Sequence, residues 1–426
     1  MTKFTKRILI FSSISILLTT IFLVAILSHL TQNCLDHEES TSLWCSIDKS
    51  LKNTIDYIVL SKRERLSNRL SKKLLKNLTI EEKVGQMLMV AVPGKKATRL
   101  NRSIIQNYKT GGIILFGYNM SPQLKQFIND LQGTAKRAIK IPLFISTDQE
   151  GGRVKRIVTG VTQFPGNMAI GAAYDTTLTY KAARILGIEL RNIGINMNLA
   201  PVVDINNNPD NPVINTRSFG SNPKIVATLG KSYINGLQDS RCMAVAKHFP
   251  GHGDTNKDSH KTLPVINYDM KRLNKIELFP FREAISARVS SIMTAHISYP
   301  KILQSDNPAT ISKIFLTDLL RSKFGFKGLV ITDDLEMNAI SKTMTIEKAV
   351  IQSIKAGTDI LLISSYRKKI PRMYAAILAA IKKKKLSVER INKSVKRILF
   401  YKYYYGIIKT TSIEIQNNEI KKLETQ

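Results

Sequence analysis

Cysteine is nearly absent. Three thiols in 426 residues are too few for a disulfide-stapled scaffold, so an apolar core must hold this chain together. Cys34 and Cys45 are close enough in sequence to bridge in an oxidising compartment. Cys242 stands inside an apolar run and reads as a small buried hydrophobe, not a nucleophile. Acidic residues are also scarce: 32 against 64 basic ones, a formal charge of +32. Such an excess would suit a polyanionic partner. The lysines are spread along the whole chain and no nucleic-acid-binding motif accompanies them, so specific nucleic-acid binding is not expected. Histidine occurs only six times, which makes its distribution informative.

One long hydrophobic run stands out, from Ile8 to Leu27, broken only by Ser12, Ser13, Ser15, Thr19 and Thr20. About 20 apolar residues suffice to span a bilayer. Lys3, Lys6 and Arg7 precede the run and Asp36, Glu38 and Glu39 follow it. That asymmetry places the N-terminus in the cytoplasm and the rest of the chain outside. The run is longer than a secretory apolar region and no small-x-small cleavage site follows Leu27. The expectation is an uncleaved signal-anchor, with a secreted or periplasmic product after cleavage as the alternative. The LTQN before Cys34 lacks the small residues of a lipidation site. The reading therefore divides the chain into an anchor with its basic flank (1–30), a juxtamembrane basic linker and helix (31–77), a barrel domain (78–405) and a polar tail (406–426). In the linker, Leu66, Leu70 and Leu74 repeat at four-residue spacing as one apolar stripe.

Beyond Leu78, short apolar runs alternate with helix-like segments. They begin at Gln86, Gly112, Pro142, Ile195, Cys242, Ser291, Gly328 and Asp359. Eight such strands separated by helices are the count that closes an α/β fold of the (β/α)8 type, whose chemistry sits at the C-terminal ends of the strands. The polar residues fall there: Asp148 after the third run, Asp204 after the fourth, Lys247 and His248 at the fifth, His296 at the sixth, Asp333 and Asp334 at the seventh. Four of the six histidines lie at or just after strand ends.

The densest stretch is KHFPGHGDTNKDSH, Lys247–His260. Pro250, Gly251 and Gly253 exclude a continuous helix, so its side chains project from a loop. A zinc site built from His248, His252, His260 and Asp258 has the right donors. Its spacing is wrong: His248 and His252 are four apart, but Phe-Pro-Gly intervenes and no Glu follows His248. A triad of Asp258, Ser259 and His260 is weak because successive side chains diverge. Asp258 and His260, two residues apart, can point the same way, the carboxylate orienting an imidazole that transfers protons. Asp333 is a candidate nucleophile across the barrel mouth.

KHFPGHGDTNKDSH, the earlier STDQEGGRVKR from Ser146 and the later VITDDLEM from Val330 resemble family 3 of the glycoside hydrolases, in particular the bacterial β-N-acetylglucosaminidases of the NagZ type. The similarity runs from LTIEEKVGQM at Leu78 to AGTDILLI at Ala356 and beyond. The resemblance implies Asp333 as nucleophile, His260 as general acid/base and Asp258 as its partner. It implies Asp148, Arg156, Arg217, Lys247 and His248 as sugar-binding positions. It further implies a retaining double displacement with neither metal nor organic cofactor, carried out by a monomer. An imidazole with an ordinary pKa of about 6.5 suits proton transfer near neutrality. The implied substrate is a terminal β-linked N-acetylglucosamine on a glycan, such as a GlcNAc-MurNAc fragment of peptidoglycan, and the implied setting is wall turnover outside the membrane. A family 3 β-glucosidase is one alternative, disfavoured because only about ninety residues follow Asp333, too few for the second domain that often supplies such an acid. A catalytically silent, anchored wall-binding protein is the other.

Overall fold

The computed structural model describes residues 43–364 and 369–409, with side chains from residue 60 onward. The anchor run Ile8–Leu27, Cys34, the Cys45 side chain and the tail beyond Lys409 lie outside the described residues. Among the described residues no helix is long and apolar enough to cross a membrane. The described residues divide into two compact units, the first holding residues 43–69 with 409 and the second Leu70–Ile408. The expected basic helix forms within Leu43–Lys76, and its Leu66, Leu70 and Leu74 are half-buried.

All eight expected strands form in the second unit. In chain order they are β1 (Leu88–Ala91), β2 (Gly112–Leu115), β3 (Phe144–Thr147), β6 (Met197–Asn198), β7 (Met243–Phe249), β8 (Ser291–Thr294), β9 (Leu329–Ile331) and β10 (Leu361–Ile363). A short hairpin, β4 (Gln149–Gly151) with β5 (Val154–Lys155), follows β3 and was not foreseen. The eight pair in parallel in the order β10-β1-β2-β3-β6-β7-β8-β9. A parallel bridge from Ile331 to Ile360 joins β9 to β10 and brings the two edges together. Both faces of such strands are covered, one by the packed interior and the other by helices, which is why they read as continuous apolar runs. β1 to β3 and β7 to β10 are buried along their whole length.

Local signals set the helix ends. Thr79 and Glu82 form a reciprocal capping box ahead of Ile80–Gln86. Asp175 caps Thr176–Ile193, which stops at Gly194 in the left-handed region, φ 99°. Asn222 caps Pro223–Asp239, with Pro in the first turn. The stretch expected to be helical from Met373 to Phe400 is two helices, Lys369–Lys382 and Val388–Tyr404. All four lysines of the run Lys382–Lys385 are exposed.

Candidate active site

Two asparagines shape the first wall of the barrel mouth. The Asn198 amide accepts from Gln149 N at 3.0 Å and donates to Gln149 O at 2.8 Å, fixing the hairpin against β6. Asn196 does the same one turn of the pleat earlier, with Ile145 N and Leu143 O. The hairpin thereby holds Asp148 and Glu150 over the strand ends. Lys247, at the end of β7, places its Nζ 2.8 Å from Asp148 Oδ1 and 2.7 Å from Glu150 Oε1. Arg217 meets Glu150 fork to fork, Nε to Oε2 at 2.9 Å and Nη2 to Oε1 at 2.8 Å. Arg156 stands further out, 3.6 Å from Asp148 Oδ2 and about a third exposed.

Lys247 and Glu150 are almost fully buried, so each ion depends on its partners. Burial pushes the Glu150 carboxyl up, but Lys247 and Arg217 outweigh it and hold Glu150 well below the usual carboxylate range. Burial likewise works against the Lys247 ammonium, and Asp148 and Glu150 more than restore it, raising its pKa. Glu150 and Lys247 are therefore charged at neutral pH and preorganised, with Asp148 and Arg156 at the open side.

Behind this cluster, Asp204 accepts four hydrogen bonds. His248 N reaches its two oxygens at 3.1 Å each, His248 Nδ1 reaches Oδ2 at 2.7 Å, and His252 N reaches Oδ1 at 2.7 Å. Against the effect of burial, His248 and His252 keep Asp204 ionised with a lowered pKa. His248 thus donates from Nδ1 and turns Nε2 toward the mouth, 3.5 Å from Arg217 Nη2. Gly251, at φ 136°, and Gly253 allow the return of the loop: a Cβ on Gly253 would collide with the Ile205 carbonyl oxygen.

The same loop carries the dyad. His260 Nδ1 lies 2.8 Å from Asp258 Oδ1, and the His260 amide donates to that oxygen at 2.9 Å. With Nδ1–H donated, Nε2 is the nitrogen left for proton transfer, on a ring 65% exposed. Burial raises the Asp258 pKa, but the His260 amide and imidazole together bring it below the ordinary value. Ser259 Oγ turns the other way, to His252 Nε2 at 2.9 Å, so Asp258, Ser259 and His260 form no relay. The loop is tied to the segment after β9: Ala339 N donates to Ser259 O at 3.3 Å and Lys342 Nζ to Lys261 O at 3.3 Å.

Asp333 and Asp334 follow the end of β9, and Asp333 Oδ1 accepts from the Asp334 amide at 2.8 Å. Burial opposes ionisation of Asp333, yet His296, His248, the Asp334 amide and Lys247 lower its pKa, keeping it a carboxylate. Asp334 is spent on the chain: Oδ1 accepts from Glu336 N at 3.0 Å and Ser364 N at 3.1 Å. His296, buried and pushed down in pKa by that burial, sits under the mouth with Nε2 3.0 Å from Asp334 O and Nδ1 2.8 Å from Thr310 Oγ1. Both Asp333 and His260 act on its ionisation, so the nucleophile candidate and the dyad share one electrostatic neighbourhood. Among the described residues no group of three or more His, Cys, Asp or Glu is arranged to hold a metal.

The structure brings Asp148, Arg217, Lys247 and His248 into one network, with Arg156 at its edge, and it pairs Asp258 with His260. Sequence reasoning overlooked Glu150 and gave Asp204 no role. A signal existed for the first: Arg217 and Lys247, both implied at the sugar site, need more negative charge than Asp148 alone supplies, and Glu150 is the acid two residues on.

A model of the family described as "Glycosyl hydrolase family 3 N terminal domain" matches residues 79–400. "Beta-hexosaminidase A" of Pseudoalteromonas piscicida is 41% identical over 320 residues, 69% of this chain and 53% of that protein. "Beta-hexosaminidase" of Stenotrophomonas maltophilia (strain K279a) is 32% identical over 283 residues, 65% of this chain and 83% of the relative. Among solved structures, a glycoside hydrolase family 3 β-N-acetylglucosaminidase from Paenibacillus sp. str. FPU-7 superposes with a TM-score of 0.76 at 45% identity, covering 78% of this chain and 64% of that one. A β-N-acetylhexosaminidase from Beutenbergia cavernae does so at 0.71 and 29%, covering 76% and 98%. The chain thus spans about half the length of the Pseudoalteromonas relative and nearly all of the Beutenbergia one.

Proposed function

The chain belongs to glycoside hydrolase family 3, and on that footing we propose that it is a retaining exo-β-N-acetylglucosaminidase with Asp333 as nucleophile and the Asp258–His260 pair as acid/base. The observation that carries the reading is the pair itself. A 2.8 Å contact from Nδ1 to a carboxylate leaves Nε2 facing solvent, on a loop tied to the segment that follows Asp333.

In the proposed reaction the Asp333 carboxylate attacks the anomeric carbon while His260 Nε2 protonates the departing glycosidic oxygen. The carboxylate is then esterified to the sugar, and His260, now neutral, takes a proton from the water that displaces it, restoring Asp333 and giving net retention. Asp258 stabilises the imidazolium and fixes the tautomer. Asp148, Arg156, Arg217, Lys247 and His248 would bind the terminal sugar. Lys247 and Arg217 are held rigid by Glu150, so little ordering is needed when substrate arrives.

The proposed substrate is a β-GlcNAc-terminated glycan, with GlcNAc-MurNAc fragments of peptidoglycan as the natural class. The run Ile8–Leu27 supports placing the enzyme outside a membrane that it is anchored to. Protease added to intact cells permeabilised in their outer layer only should then digest residues 78–405; recovery of intact soluble protein from the cytoplasm would refute the placement. The activity is tested by turnover of an aryl β-N-acetylglucosaminide beside an aryl β-glucoside. Preference for the N-acetyl sugar is expected. Preference for the glucoside, or no turnover of either, would overturn the reading.

A further inference from the structure

His252 is a buried histidine to which the proposed chemistry assigns nothing. Its ring lies between two hydroxyls, with Nδ1 3.0 Å from Thr255 Oγ1 and Nε2 2.9 Å from Ser259 Oγ. Its amide is held by Asp204 Oδ1 at 2.7 Å, the carboxylate that also orients His248. Asn211 closes the back of the loop, donating through Nδ2 to His252 O at 2.8 Å and Gly253 O at 2.9 Å. His252, Thr255 and Ser259 are all about 2% exposed. The two residues flanking Ser259 are Asp258 and His260, both far more open. A solvent-facing dyad therefore hangs on one buried side chain between its members, and that side chain ends on an imidazole.

We propose that His252 is a positioning residue for proton transfer: its hydrogen bond to Ser259 sets where the Asp258–His260 pair stands above Asp333. The proposal rests on the reaction assigned above. The geometry makes a chain from the sugar-binding side to the acid/base. His248 and His252 share Asp204, their rings meet edge to face at 5.9 Å, and His252 continues through Ser259 to the dyad. Ser259 O is held in turn by Ala339 N, six residues after Asp333. The loop is thus held to its own start by the Ser259 side chain and to the helix Asn338–Ser341, which follows Asp333, by the Ser259 backbone. Burial and the neighbouring His248 push His252 down to about 4, so the ring stays neutral at working pH. A neutral ring can donate at one nitrogen and accept at the other, as two hydroxyl partners require.

The test compares aryl β-N-acetylglucosaminides with a poor leaving group, phenol, and a very good one, 2,4-dinitrophenol, in full-length native enzyme and in His252→Ala, Ser259→Ala, the double variant and His252→Gln. A displaced acid should cost about 10–100-fold in kcat/KM on the phenyl substrate and less than about 3-fold on the dinitrophenyl one, which needs no proton. The double variant should be no worse than either single one, and Gln, which can still bond Ser259, should recover part of the loss. Equal losses on both substrates, additive losses, or no loss would overturn the proposal. His260→Ala, run alongside, reports on the underlying reaction. If it shows no dependence on the leaving group, the assigned chemistry is wrong, and amide hydrogen exchange decides the anchoring. Exchange over residues 254–261 that is no faster in His252→Ala than in the native chain overturns it as well.

Discussion

The barrel has a network of buried charge at each end, and the two differ in how far they open to solvent. At the floor, Asp359, immediately before β10, is fully buried and pairs with Arg321 and Arg397, with Val330 N at 3.1 Å and with the Ser394 hydroxyl. Lys402 reaches up from the last helix to Gln86 Oε1 at 2.7 Å and Gly111 O at 2.8 Å, 4.9 Å from the centre of the Phe144 ring. These side chains link helices to strand starts. At the mouth the ions are equally buried at their base, in Glu150, Lys247 and Asp204, but the network opens outward through Asp148, Arg156 and His260. Buried charge alone therefore does not mark a site. What marks it is a charged network whose outer members face open space at the C-terminal ends of the strands.

The sharpest way to break the comparison is at Asp333. Asp333→Ala should lower kcat by about 10⁴-fold or more while leaving sugar binding largely intact, because a nucleophile acts chiefly in the transition state. A 5-fluoro glycosyl label should be found by mass spectrometry on the peptide Ile331–Met337, at Asp333. Label at Asp334 would reverse the assignment. Asp334→Ala should instead cost roughly 1–3 kcal/mol of stability, since it frees the part-buried amides of Glu336 and Ser364.

Next in size is the dyad. Asp258→Ala and His260→Ala should each lose about 10²–10⁴-fold in rate on substrates with poor leaving groups, and much less on very acidic ones. Uniform losses would make the pair a binding element and remove the main functional distinction between the two ends of the barrel.

The floor should answer in stability rather than rate. Asp359→Ala strands Arg321 and Arg397 and should cost about 3–5 kcal/mol, read by denaturant unfolding, with kcat of the folded enzyme unchanged. A selective fall in kcat would show that the floor communicates with the chemistry.

The smallest effect is a pH slope. His252, pushed down to about 4, and His296, also lowered by burial, bind protons less readily folded than unfolded. Between about pH 6.5 and 4 the unfolded chain takes up protons that the folded one refuses, so stability falls as pH drops. Asp359, whose Arg partners lower its pKa against its burial, contributes stability that is complete above the ordinary carboxylate range and is lost only below it. Acid unfolding above pH 4 should thus arise at the mouth, and His252→Gln with His296→Gln should flatten it. An unchanged slope would place the proton uptake elsewhere.

Much of this was written along the chain. Strand positions were readable because each strand, buried on two faces, is an uninterrupted apolar run, and a hydrophobic pattern reports burial directly. The site motifs were readable because irregular, polar, glycine-bearing loops interrupt that pattern at strand ends. Helix starts at Thr79, Asp175 and Asn222 follow from capping, which is local. The β4–β5 hairpin was invisible, being two and three residues long and set by the Asn198 amide, 49 residues away from Gln149.

The sequence alone determined that the chain forms a barrel of eight parallel strands and that Asp258 and His260 can pair, since periodicity and a two-residue spacing act over short range. Only the tertiary structure decided that Ser259 faces His252, that Asp334 is spent on Ser364, and that Glu150 pairs both with Lys247 and with Arg217, the latter 67 residues away. Which way a polar side chain turns depends on partners brought near by folding, and the penalty for leaving a buried ion unpaired is felt only once the barrel has closed around it.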